Sequence, residues 1–280
     1  MNHLKFMEDR MLLHGNVPIV DFMGLTPTEL HHLLFDTYGD QSPVQLRNVI
    51  DPQSLDLIPL FRVIEEYLKI IERDKFIKLT SLGALPKKVM AEVYDKRFLL
   101  DDFIESGITK LTREHDWIAI SSARLTAELA GLVRKANGKL MLTKKAIKLL
   151  VTDDRSQLFK LFFQTFTEKF NWGFNDLLPQ QPIGQFGWAF SLIMLHKYGD
   201  KPRPVTFYAE SYLNAFPMLI QYFMPDYGTP EAQFYRCYAK RAFARFFLWF
   251  GFVTADGKRD LIDIDTHIYT RTDLVKSVFR

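Results

Sequence analysis

Gly131-Leu132-Val133-Arg134-Lys135-Ala136-Asn137-Gly138-Lys139-Leu140-Met141-Leu142-Thr143 is the stretch that decides the fold. Asn-Gly between two short apolar runs is a strong hairpin signal, because both central turn positions need positive φ. The run before it, Ser122–Leu132, has helical spacing, and Thr143 is placed to cap a new helix, KKAIKLL. Helix, hairpin and helix in this order, after two or three helices, is the pattern of a winged helix-turn-helix.

Working outward, Thr26-Pro27-Thr28-Glu29 combines a capping Thr, a Pro at the first helical position and a Glu three residues after the cap. With Leu30, Leu33 and Leu34 it predicts a helix from Pro27 to about Tyr38. Pro59 opens a second helix, with Leu60, Ile64, Leu68 and Ile71 on one face and Glu65, Glu66 and Lys69 expected on a solvated one. FIKLT (76–80) reads as a short strand, Pro86 starts another helix, and helical stretches are expected around Leu100–Leu111 and Ser122–Leu132.

The pattern recurs near the C-terminus. Thr229-Pro230-Glu231 starts a long helix to about Phe250. Gly251-Phe252-Val253 then matches Gly131-Leu132-Val133, and Asp256-Gly257-Lys258 matches Asn137-Gly138-Lys139. Leu142-Thr143 is paired with Tyr269-Thr270, across a return arm about eight residues longer. Residues 156–224 read as helical and aromatic-rich, with loops at 179–182 and 199–204. The expected fold is mainly α: helical, with one or two winged-helix-like helix–β-hairpin–helix units. Three segments are expected: 1–74, an N-terminal helical segment; 75–152, a winged-helix-like unit; and 153–280, an aromatic-rich helical region ending in a second such unit.

With 48% hydrophobic residues, 14 Gly and 13 Pro in 280 positions, collagen-like, low-complexity and disordered classes are excluded. The lone Cys237 excludes a disulfide framework and a multi-cysteine zinc site, and its aromatic surroundings predict a buried, inert thiol. MNHLKFMEDRMLLHG carries acids and no apolar core, unlike a signal peptide. The longest apolar runs, such as Phe246–Val253, fall short of the roughly 18 residues of a membrane span. These features predict a cytoplasmic protein with no membrane partner. The net charge of +3 is uneven: residues 1–70 carry −5, residues 71–150 carry +6 and residues 151–280 carry +2. An anionic partner is therefore sought in the middle segment.

FIKLTSLGALPKKVM and ELAGLVRKANGKLMLTKKAIKLL resemble segments of a group of bacterial proteins with no assigned activity. More distantly, they resemble the helical region that accompanies the domain of a plasmid-encoded open-reading-frame family. The resemblance implies a helical, winged-helix-like fold and transfers no catalytic residue or cofactor.

Four kinds of chemistry can be weighed. From Leu129 to Thr152 there are six basic residues (Arg134, Lys135, Lys139, Lys144, Lys145 and Lys148) and no acid, as a wing contacting phosphate would need; the bland alternative is a solvated hairpin. The helix ahead offers one base-reading residue, Arg124, beside a repelling Glu128. A second stripe, Arg236, Lys240, Arg241 and Arg245, falls on one face of an α-helix; the alternative is arginines bordering buried rings. Asp263, Asp265 and His267 alternate, so a strand over 261–267 would project all three from one face as a metal site could require, or leave a wet Asp face. The aromatics Trp172, Phe174, Phe186 and Trp188 flank a Pro/Gln loop that is either a binding patch or a loop pinned by its own rings. No phosphate loop, nucleophile elbow or paired-carboxylate signature is present, and no cofactor is implied. The leading expectation is a non-catalytic binding module, with DNA as the sharper version. The alternatives are a protein-binding or self-associating module, or an enzyme whose site assembles near Asp263, Asp265 and His267.

Overall fold

The computed structural model describes residues 17–178, 182–256 and 264–280. The chain is mainly α-helical with two small three-stranded sheets. Its helices are α1 (Pro27–Phe35), α2 (Pro52–Asp56), α3 (Pro59–Asp74), α4 (Lys87–Tyr94), α5 (Asp102–Glu105), α6 (Ile118–Leu129), α7 (Lys144–Val151), α8 (Arg155–Glu168), α9 (Trp188–Tyr198), α10 (Val205–Ala215), α11 (Pro230–Tyr238) and α12 (Leu274–Val278). The strands are β1 (Ile77–Lys78), β2 (Val133–Ala136), β3 (Lys139–Leu142), β4 (Arg203–Pro204), β5 (Val253–Asp256) and β6 (Ile268–Arg271). Two compact units emerge: one of Asn48–Leu178 with Ala244–Val253, the other of Met1–Arg47, Pro179–Phe243 and Thr254–Arg280.

In the first unit the decisive hairpin forms as its turn chemistry demands. Asn137 and Gly138 take φ of 49° and 68°, and β2 pairs with β3 from Val133↔Leu142 to Ala136↔Lys139. β1 adds to β3 antiparallel, giving the order β1-β3-β2. The Thr143 hydroxyl accepts from Ala146 N–H and caps α7. Most of α3 is buried, with Leu60, Phe61, Val63, Ile64, Tyr67, Leu68, Ile70 and Ile71 at 1% exposure or less. Glu65, expected on its solvated face, is buried as well. Arg155 of α8 donates to both its oxygens at 2.7 and 2.9 Å, which makes burial of the carboxylate tolerable. Phe250 centres a ring cluster, lying 5.0 Å from Phe163, 5.1 Å from Phe166 and 5.5 Å from Phe246 between centroids. Around 100–111 only α5 is helical, because Gly107 at φ 76° ends it after one turn.

In the second unit the Thr26–Glu29 capping box is present, although α1 stops at Phe35 rather than Tyr38. Its core is again aromatic: Phe216 packs with Phe22, Phe186, Phe190 and Tyr212, and Phe243 with Tyr208 and Tyr269. Cys237 is buried. β4, read from sequence as loop, becomes a strand only by pairing with β6 (Arg203↔Tyr269, Pro204↔Ile268). The second sheet has the order β4-β6-β5.

The same topology therefore occurs twice along the chain. Apart from the one-turn α5, which has no counterpart helix, α3-β1-α4-α6-β2-β3-α7 is repeated as α9-β4-α10-α11-β5-β6-α12, with the first strand beside the third in both sheets. Both long helices end the same way: Gly131 and Gly251 take φ of 67° and 70°, and the next N–H bonds the carbonyl five residues back (Leu132 to Ala127, Phe252 to Phe247). The register also corrects one correspondence. Leu79 N–H bonds Gly138 O just as Val205 N–H bonds His267 O, so Leu142-Thr143 matches Arg271-Thr272 rather than Tyr269-Thr270. Gly257-Lys258, the rest of the second turn, lies outside the described residues.

Candidate nucleic-acid interface

The pleat sends alternate residues of the first sheet to opposite faces. Ile77 and Leu140, directly opposite each other, go into the core. Lys78 and Lys139, the next opposed pair, go to the outer face together with Arg134 and Met141. The Lys139 ammonium sits 3.9 Å from the centroid of the Phe76 ring, and an Arg134 terminal nitrogen lies 3.8 Å from the Met141 sulfur. Lys135 reaches across the tight turn at Thr80–Ala84, where a Cβ on Gly83 would meet its ammonium at 3.2 Å. Lys144, Lys145 and Lys148 are exposed on the following helix.

Two features of this surface work against stability. Like charges directly opposed across a ladder repel, and Lys78 faces Lys139. The first turn of a helix favours acids, and α7 starts with two lysines and no acid. Among the described residues no carboxylate forms an ion pair with Lys78, Arg134, Lys135, Lys139, Lys144, Lys145 or Lys148. Elsewhere in the same unit Arg62, Arg73, Lys96, Arg97, Arg124 and Arg155 each have one.

The repeated topology supplies an internal control. Lys78, Arg134, Lys135 and Lys139 correspond to Pro204, Thr254, Ala255 and Ile268, and Lys144-Lys145 correspond to Asp273-Leu274. The backbone arrangement thus forms without any of these cations.

Sequence reasoning found the hairpin cations and missed Glu114. Its carboxylate is buried, accepting from Leu85 N–H at 2.7 Å and from Arg124 Nε at 2.7 Å. Arg124 Nη1 meets Glu128 at 3.1 Å. Arg124 is thus held by two carboxylates within its own unit and is not presented to a base edge. α6 itself is largely buried, through Ala119, Ile120, Ser121, Ser122, Ala123, Thr126 and Ala127. Burial raises the pKa of neighbouring Tyr67, with the charge of Arg124 opposing the shift.

The second cationic stripe does not form one open face. Ala239–Phe247 is a π-helix, so the α-helical period does not apply there, and burial divides the four side chains. Arg236 is exposed, Lys240 is half-buried and Arg241 is 1% exposed, out of reach of an external phosphate. Arg245 donates to Phe174 O at 3.0 Å. Of the three alternating metal candidates, Asp263 lies outside the described residues. Asp265 sits in a 3-10 turn, Ile264–Thr266, rather than in a strand, so strand alternation does not align it with His267. His267 Nδ1 lies 3.2 Å from the Tyr269 hydroxyl. No group of three or more potential metal ligands occurs among the described residues. Trp172 and Trp188 are buried, and Trp172 Nε1 donates to Phe166 O at 2.9 Å, so both rings belong to the core of their own units. No helix among the described residues is long and apolar enough to cross a membrane.

Comparison of the chain with protein-family models, with curated proteins and with solved structures finds no match.

Proposed function

We propose that the unit built around residues 48–178 is a winged-helix module that binds nucleic acid through its wing, without reading base sequence. The observation that carries this reading is the difference between the two topological copies. The first places unneutralised cations on the outer sheet face and at the start of α7, and the second places Pro204, Thr254, Ile268 and Asp273 there. Cations that repel one another and that the architecture does not require are accounted for by an anionic partner. Phe76 and Met141 among them add apolar contact for sugars or bases. Arg124, held by Glu114 and Glu128, leaves α6 without a base-reading arginine, so the contacts position the module on phosphate.

A protein partner with an acidic face is the second reading. It is favoured by Ile147 and Val151, 46% and 74% exposed on the same helix as Lys144 and Lys148.

Fluorescence anisotropy with a labelled 20-base-pair duplex separates these readings. Binding should weaken with salt, log K falling by about 0.9 per decade of salt for each phosphate contact, and should be indifferent to base sequence. Lys78→Thr, Arg134→Thr and Lys139→Ile together should lower affinity at least tenfold without lowering the melting temperature, because a like-charge pair is removed. Absence of binding at low salt, or equal binding by the triple variant, would overturn the nucleic-acid reading.

A further inference from the structure

We propose that a separate pocket, in the unit formed by Met1–Arg47, Pro179–Phe243 and Thr254–Arg280, binds a phosphate monoester of a long aliphatic alcohol. The cavity measures about 410 Å³, within the range of small-molecule sites. Its walls are α9, the α12 end of the chain and the segment 43–47. That segment is tied to the 278–280 stretch through a bridge between Leu46 and Phe279, with Gln45 and Arg280 bonding each other's backbone and Arg47 N–H donating to Val278 O at 2.9 Å.

The floor consists of Val44, Leu192, Ile193, Val275 and Phe279, all but half-buried Ile193 below 9% exposure. Its side chains contain no donor or acceptor, so nothing there would pair with a nucleobase edge or a sugar hydroxyl; an aliphatic chain suits it. The rim has the opposite character. Arg47, His196, Lys276 and Arg280 line it, and no carboxylate side chain does. Arg47 Nε donates to Lys276 O at 3.0 Å, which orients the guanidinium while both Nη groups stay without a partner among the described residues. Arg280 forms no ion pair among them either. His196 Nδ1 lies 3.3 Å from Arg271 Nη1.

The rim cations Arg47, Lys276 and Arg280 select an anionic head group, and the two arginine forks suit the several oxygens of a phosphate monoester.

The test is isothermal titration of the full chain with decyl phosphate below its micelle concentration, with decanoate, decanol, inorganic phosphate and decyltrimethylammonium as comparison ligands. Decyl phosphate should bind saturably at one site, each comparison ligand at least tenfold more weakly. Arg47→Gln with Arg280→Gln should raise Kd about tenfold. Ile193→Trp, which fills the cavity from its half-exposed side, should abolish binding with an unchanged circular-dichroism melt. Absence of saturable binding, equal affinity for decanoate or the cationic detergent, or unchanged Kd in both variants would overturn the proposal. None of these outcomes depends on nucleic-acid binding by the other unit.

Discussion

Glu114 bears on a question that its neighbours leave open, whether the Arg124 side chain is held within its own unit. Spacing alone makes Arg124 the natural base-reading residue of the helix before the wing. Nothing in the sequence marks Glu114, ten positions upstream in a short 3-10 turn, as its partner. The pairing exists because the loop between α4 and α6 folds back, so that Leu85 N–H and Arg124 converge on one buried carboxylate. Removing one member of a buried, hydrogen-bonded pair strands the other. Glu114→Ala should therefore destabilise the protein by about 3 kcal/mol, read as a shift in the urea midpoint. A shift of a few tenths would show that the pair is solvated and that Arg124 is available after all.

At the scale of elements, local chemistry decided most of what formed. Asn137-Gly138, the Thr26 capping box and the Thr143 cap each act within four residues, and each is present in the structure. β4 is different, because its conformation depends on a partner remote in sequence. Arg203-Pro204 has no strand period of its own and is extended by pairing with β6. The α-helical period assumed for Arg236–Arg245 fails once Ala239–Phe247 is wound as π-helix. α7 supports a prediction of its own, since Lys144 and Lys145 occupy the turn where the helix dipole disfavours cations. Lys144→Glu should raise stability by about 0.5 kcal/mol, roughly 1–2 °C in Tm by circular dichroism. The same change should weaken duplex binding. Lower stability together with unchanged binding would mean that this lysine serves the fold and not a ligand.

At the scale of the whole molecule, 18 of the 25 Phe lie after residue 155, and they build a ring core in each unit. Phe250 stands at the centre of one, in ring contact with Phe159, Phe162, Phe163, Phe166, Phe246 and Phe252. Phe250→Ala should cost about 4 kcal/mol, measured by chemical denaturation. A loss under 1 kcal/mol would show that the neighbouring rings collapse into the space. The residues of that core were legible as apolar helix faces, but their grouping was not: Ala244–Val253 joins the unit of 48–178, far away in sequence. By itself the sequence determined the helical class, the Asn-Gly hairpin, the helix caps and the cluster of basic residues. Periodicity, turn chemistry and charge density are local properties, written in neighbouring positions. Only the tertiary structure decided that Glu65 is buried against Arg155, that Arg124 is held by Glu114, that Arg241 is enclosed and that Lys78 faces Lys139. Each of these depends on a partner or a burial environment brought by another part of the chain, and composition and spacing carry no record of it.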